Sequence, residues 1–255
     1  MNFTHEKLNE VIRNGYTLEF SPVFEKAFEN YKKIALPAGA AFLIVSIVIA
    51  VFGMTIGSVF YGMNNFSESL LQVNVASSFI SILIQVVSVV VIGVIFAPVT
   101  AGIIKMAHLA DNGKDFSMAT AFDYYKSPYL KELLIAAFLL GLAGAILSLL
   151  PIIGTIATYV ISFFTFLTIP LIIFADLKAA DAIRASVQLV AKQPLVLLGL
   201  LIVSVLAVCI GLIAFCIGIL FTIPFIYSMY YVIYNTILPT KEEHEIEQIG
   251  TPVDF

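Results

Sequence analysis

The sequence predicts an all-α protein: a polytopic membrane bundle of six transmembrane helices, built as three tandem units of amphipathic helix plus hairpin. Three observations carry this. Hydrophobic residues make up 60% of the 255 and charged residues only 12%, about half the charged share of a soluble domain. The charges leave four windows without Asp, Glu, Lys, Arg or His, at 34–67, 69–104, 133–175 and 193–240. A proline recurs near the end of an apolar run three times, in IFAPV at 95–99, LTIPL at 167–171 and FTIPF at 221–225.

A span needs roughly 20 apolar residues. The first two windows therefore hold one helix each, near Ile34–Tyr61 and Ser77–Met106. The last two are too long for one span and fold back as hairpins. These pair Leu133–Leu150 with Ile152–Phe174, and Leu195–Val208 with Leu212–Leu238. No polar loop separates the fifth helix from the sixth, so the sequence does not place that turn. The membrane domain is read as 21–240, with repeats at about 21–110, 117–175 and 176–240. Residues 1–20 form an N-terminal segment, and 241–255 an acidic tail expected to be disordered.

With six spans, all 13 Lys and Arg fall on one side, and Glu68 is the only charge in the opposite turns. The positive-inside rule then places both termini in the cytoplasm and the protein in the cell inner (cytoplasmic) membrane. The first 33 residues hold no short apolar core with a small-residue cleavage site, so the first helix is expected to act as an uncleaved insertion signal.

Each hairpin is preceded by a segment with a stripe at i, i+3, i+4 and i+7. The stripes are Phe24, Ala27, Phe28 and Tyr31; Met118, Ala121, Phe122 and Tyr125; and Ala179, Ala182, Ile183 and Ser186. That spacing draws one face of a helix. Such a helix either lies flat at the headgroups or packs under the bundle as a connector, and the second reading is favoured. Ser21 with Pro22, Ser117 and Asp176 are candidate N-terminal caps.

Pro98, Pro170 and Pro224 hold matching places in the return helices. A proline inside a helix removes one hydrogen bond and kinks the chain. Thr168 and Thr222, two residues before their prolines, are candidates to satisfy freed backbone in lipid. Either the prolines bend three helices around a cavity, or they splay the cytoplasmic ends toward the amphipathic helices; the latter is favoured. Gly53 with Gly57, and Gly141 with Ala145, have the small-xxx-small spacing of close helix contacts, within the bundle or between copies. Gln85 is a long amide in mid-helix and is expected to bond across to a neighbouring helix.

Ionisable residues inside a membrane mark ion paths and catalytic sites, and the four windows hold none. This argues against an ion-coupled pump and against intramembrane proteolysis by paired aspartates. His5, His108 and His244 are too scattered to form a metal site. Cys209 and Cys216, seven residues apart, are read as small apolar core residues; they meet only if the turn falls between them. No catalytic residue, cofactor, metal or nucleic-acid partner is expected.

The segment ADAIRASVQLVAKQPLVLLGLLIVSVLAV from Ala180, followed by GILFTIPFIYSMYYVIY from Gly218, resembles bacterial six-helix integral membrane families of unknown function. These are similar to the membrane domain fused to some glycerophosphoryl diester phosphodiesterases. The resemblance spans roughly Phe24–Leu238 and implies a fold and little chemistry, with no phosphodiesterase activity carried over. The first expectation for function is a non-enzymatic accessory or organising subunit of a membrane assembly, with a membrane-protein partner or a second copy and membrane lipids around it. The alternative is a carrier or path for a lipid or other apolar small molecule.

Overall fold

The structure is a computed structural model that describes residues 3–61, 79–150, 152–213 and 218–239. Among the described residues all regular structure is helical: α1 (Phe3–Asn14), α2 (Phe20–Tyr61), α3 (Phe79–Asp111), a 3₁₀ segment (Met118–Lys126), α4 (Leu130–Leu147), α5 (Ile153–Thr165), α6 (Thr168–Ala175), α7 (Ala179–Val190), α8 (Pro194–Ile213), α9 (Gly218–Thr222) and α10 (Pro224–Ile237). Five helical stretches are long and apolar enough to cross a membrane: Phe20–Thr55, Val86–Asp111, Leu130–Leu147, Ile153–Ala175 and Pro194–Gly211. This is a multi-pass membrane protein. The stretch expected as a sixth helix is divided at Ile223 into α9 and α10, neither long enough alone. The α8–α9 connection, 214–217, lies outside the described residues, and with it Cys216; Cys209 is exposed on α8.

The segments before the hairpins differ from one another. The first is not a separate helix. It runs straight into the span as the 42-residue α2, with Pro37 inside it, giving a rod of about 63 Å against a hydrocarbon core of about 30 Å. Its buried stripe is Val23, Ala27, Asn30, Ile34, Ala38 and Ala41, so Phe28 lies outside it, exposed. The second segment is 3₁₀ rather than α. Ala121 is buried in it while Met118 and Tyr125 are exposed. Only the third, α7, is a discrete helix, burying Ala179, Ala182, Ala185, Ser186, Leu189 and Val190. Asp176 does not begin it. This residue closes α6 in the left-handed conformation, at φ 59°. The α7 N-terminus is held instead by Glu132 of α4, whose Oε2 accepts the Ala179 N–H at 2.9 Å. Removing a carboxylate that caps a helix costs about 1 kcal/mol. Glu132→Ala is expected to lower the midpoint of thermal unfolding in detergent by a few degrees, and Glu132→Gln by less.

Every charged segment of the described chain meets at one end of the bundle. Lys26 pairs with Asp111 at 3.0 Å, and Asn30 and Lys33 donate to the carbonyls of Ala107 and Ala110 at 2.8 and 3.0 Å. Lys105 pairs with Asp123 at 2.7 Å. The Tyr16 hydroxyl donates to the Leu189 carbonyl, and Leu18 N–H to Gln193 Oε1, each at 2.9 Å, which straps the N-terminal segment onto α7. Tyr231 of α10 donates to Asp111 Oδ2 at 3.0 Å, and its oxygen lies 3.3 Å from His108 Nδ1. The chain thus leaves this end and returns to it three times, between 33 and 105, 132 and 176, and 193 and 231.

Burial pushes the phenols of Tyr16 and Tyr124 well above their ordinary value of 10.0, with the charges of Tyr129 and Asp123 adding to the second. A raised phenol favours the folded state while neutral. Its contribution is complete below pH about 10 and is lost as the pH rises through the folded value. Phenolate absorbance during alkaline titration is expected to show late-ionising tyrosines. Tyr16→Phe removes one of them and weakens the strap, read as faster proteolysis between α1 and α2.

α2, α3 and α10 form the centre. α4 flanks α3, α8 and α9 flank α10 and α2, and α5 returns beside α4. Burial is concentrated toward the charged end: Ile34, Ala38, Ile103, Ile104, Met106, Leu171, Ile172, Met229, Tyr231 and Tyr234 are essentially inaccessible. The far halves expose Val48, Val51, Phe52, Met54, Val87, Val91, Ile146, Ile153, Ile156, Leu206 and Ile210.

Candidate functional site

The prolines do less to the helices than their sequence positions suggest. Pro98 alone of the three lies inside a continuous helix. Pro170 and Pro224 sit in the first turn of new helices, α6 and α10, after breaks at 166–167 and at Ile223. In a first turn the amide hydrogen has no intrahelical partner, so proline loses nothing there. What needs satisfying is the break before it. At the α5–α6 break that role falls to Ser186 of α7, whose Oγ accepts the Leu167 N–H at 3.2 Å and donates to the Phe164 carbonyl at 2.9 Å. Thr168 does not serve; its hydroxyl is buried without a hydrogen-bond partner. The Thr222 hydroxyl has the carbonyls of Val208, Gly218 and Ile219 at 3.2–3.3 Å competing for its proton, and none of these is the Leu220 carbonyl four residues before Pro224. Beside Pro98, the Tyr125 hydroxyl donates to the Ile95 carbonyl at 2.6 Å. The side chain of Gln85 lies outside the described residues.

Aromatic rings pack together across the described middle of the bundle. Phe42 of α2 stacks on Tyr227, Tyr227 meets Tyr230 edge-on, and Tyr230 meets Phe166 at the α5–α6 break, with centroids 5.7, 5.7 and 5.0 Å apart.

Among the described residues a cavity opens laterally. A cleft of about 400 Å³ separates α5 from α8, with α10 as its back wall. Tyr159, Ser162 and Phe163 line one side, Leu198, Leu201, Ile202, Val205 and Leu206 the other, and Ile226 and Tyr230 the back. Its rim residues Tyr159, Ile202, Val205 and Leu206 are exposed, so it opens sideways between two membrane-length stretches. The volume lies in the range of small-molecule sites. The lining is almost wholly apolar, broken by the hydroxyls of Ser162, Tyr159 and Tyr230. It carries no Asp, Glu, Lys, Arg, His or Cys. Among the described residues no three His, Cys, Asp or Glu side chains gather as metal ligands.

The close approaches lie at glycines other than those with small-xxx-small spacing. Gly53 faces open space, with no atom within 4 Å of a Cβ built there, and the surroundings of Gly57 lie outside the described residues. Gly141 meets the Val90 Cα at an ordinary 3.6 Å, and Ala145 is buried. By contrast, a Cβ on Gly102 would overlap the Ala121 backbone, one on Gly154 the Leu147 carbonyl, and one on Gly211 the Thr222 hydroxyl. The first of these places the backbone of the 3₁₀ segment directly on α3. Comparison with family models, characterised proteins and solved structures returns no match.

Proposed function

We propose that the chain is a non-catalytic protein of the cytoplasmic membrane, with six crossings and both termini inside, that holds an apolar or amphiphilic molecule such as a lipid in the cleft between α5 and α8. The cleft carries this reading, because it joins a ligand-sized volume to an apolar lining and a sideways mouth. The six crossings are supported by the three excursions from the charged end and the topology by the distribution of Lys and Arg. The cleft lining carries no Asp, Glu, Lys, Arg, His or Cys, which supports a holding or conducting role over a chemical one.

The test is native mass spectrometry of the protein released from lipid nanodiscs. The expected result is one retained lipid or small-molecule class, with Val205→Trp, which fills the cleft mouth, reducing its occupancy at least several-fold. A bare chain, or retention that Val205→Trp leaves unchanged, overturns the reading.

A second reading, an accessory or organising subunit, is favoured by Gly53. It lies on an open face of α2 where a helix from another chain can approach closely. A stoichiometric second protein in the same spectra, lost on Gly53→Leu, is the result that supports it.

A further inference from the structure

We infer that the occupant of the cleft is an anionic glycerophospholipid, one acyl chain lying between α5 and α8 and the headgroup held by Arg184 and Lys192. This rests on the cleft reading above and deepens it by naming the ligand class.

The argument starts from the floor of the cleft. Ser186 of α7 bonds the Phe164 carbonyl, one residue from the lining residue Phe163. At its other end α7 leads through Lys192 and Gln193 into α8, whose lining residue Leu198 stands at the start of that helix. α7 therefore passes beneath the cleft from one wall to the other. Its buried face is turned into the bundle. The other face carries Arg184 and Gln188 one turn apart, continued by Lys192 just past the helix end, all exposed, with the apolar Val187 exposed beside them. A helix face mixing an exposed valine with cations suits the headgroup level.

The depth agrees. Tyr230, on the back wall, is the neighbour of Tyr231, whose hydroxyl belongs to the charged layer with Asp111 and Lys26. The hydroxyls of Tyr230 and Ser162 thus lie where an acyl chain meets its ester, while the chain runs along Leu201, Ile202, Val205 and Leu206 toward the far leaflet.

Charge selects the headgroup. From Lys178 to Gln193 there are three cations against the single carboxylate of Asp181. The strapped α1 is balanced, Glu6 and Glu10 against Lys7 and Arg13. Each cation at a membrane surface favours an anionic lipid by about fivefold.

The test uses the full chain in nanodiscs made from equal parts phosphatidylcholine and phosphatidylglycerol, with the lipid retained after release read by native mass spectrometry. The expected result is retained phosphatidylglycerol enriched about fivefold or more over phosphatidylcholine. The double substitution Arg184→Gln with Lys192→Gln brings the ratio to near one with total retention unchanged, and that unchanged retention also shows that the variant is folded. Val205→Trp lowers both lipids together. Retention without headgroup preference, or a preference that the double substitution leaves intact, overturns the anionic assignment and spares the cleft reading. No retained lipid at all overturns both, as does a second polypeptide seated in the cleft and displaced by Val205→Trp.

Discussion

Gly102→Ala is expected to destabilise the protein by about 2–4 kcal/mol, and Gly102→Val to prevent a monodisperse folded species from forming. A Cβ at this position would overlap the Ala121 carbonyl and Cα, which are backbone atoms that no rotamer change can move. Both partners are buried: Ala121 is inaccessible, and residue 102 sits among Ala101, Ile103 and Ile104, also inaccessible. Relief would require the whole 3₁₀ segment to lift off α3, breaking the Lys105–Asp123 pair and the Tyr125 bond to Ile95. Size-exclusion profiles after heating, for wild type and both variants, read the effect. Gly53→Ala is the matched control on another span. Nothing lies within 4 Å of its new methyl group, and alanine favours a helix over glycine by about 0.8–1.0 kcal/mol. It is expected to be neutral or mildly stabilising. Equal behaviour of the two alanine variants would refute the close approach of the 3₁₀ segment to α3.

Ser186→Ala is the second large effect, expected at about 2–4 kcal/mol. One hydroxyl serves both the Leu167 amide and the Phe164 carbonyl at the break before Pro170. Each backbone group left bare in a buried site costs about 1–3 kcal/mol, and neither has water to turn to in lipid. Ser186→Thr keeps the hydroxyl but adds a methyl group at a fully buried position, and should fall between alanine and wild type. The readout that separates a lost hydrogen bond from general loosening is local. Amide exchange should rise at Leu167 and its neighbours in Ser186→Ala while the interior of α2 stays protected. Uniform exchange throughout the chain would mean that the break is not held by Ser186.

Much of the architecture was legible in the sequence because lipid imposes it. Four charge-free windows found the spans, and the placement of Lys and Arg found the segments that the structure brings together at one end. What escaped was set by contacts between distant segments. The stripe on α2 was read as Phe24, Ala27, Phe28 and Tyr31. The buried set is Val23, Ala27, Asn30 and Ile34, because the phenylalanines turn toward Phe225, which Phe24 and Phe28 meet edge-on. The spacing of Met118–Lys126 suits an α-helix, but the segment is 3₁₀, with its backbone at Ala121 pressed against Gly102. The sequence reads the prolines as kinks within helices, since it does not show that a chain has already broken a few residues earlier, as it does before Pro170 and Pro224. Ser186 appeared only as one position in a stripe. Its bond to a carbonyl 22 residues away leaves no local signal. The cleft was not legible at all: its lining comes from three separate helices, and nothing in Leu201 or Val205 distinguishes a cleft wall from a lipid-facing side.

The gradient of burial along the spans has a mechanical meaning. Near the charged end the helices are locked by interdigitated side chains, two ion pairs and a strap. Toward the other end the described side chains are largely exposed. Such a body resembles a brush bound at the ferrule, rigid in one leaflet and compliant in the other. Stretching or thinning the bilayer changes lateral pressure in both leaflets, but here only the unbound ends are free to spread. The gap between α5 and α8 would widen at its far end while its floor, pinned by Ser186, stays fixed. Any opening of the bundle by membrane tension would thus start from the end away from the charged layer.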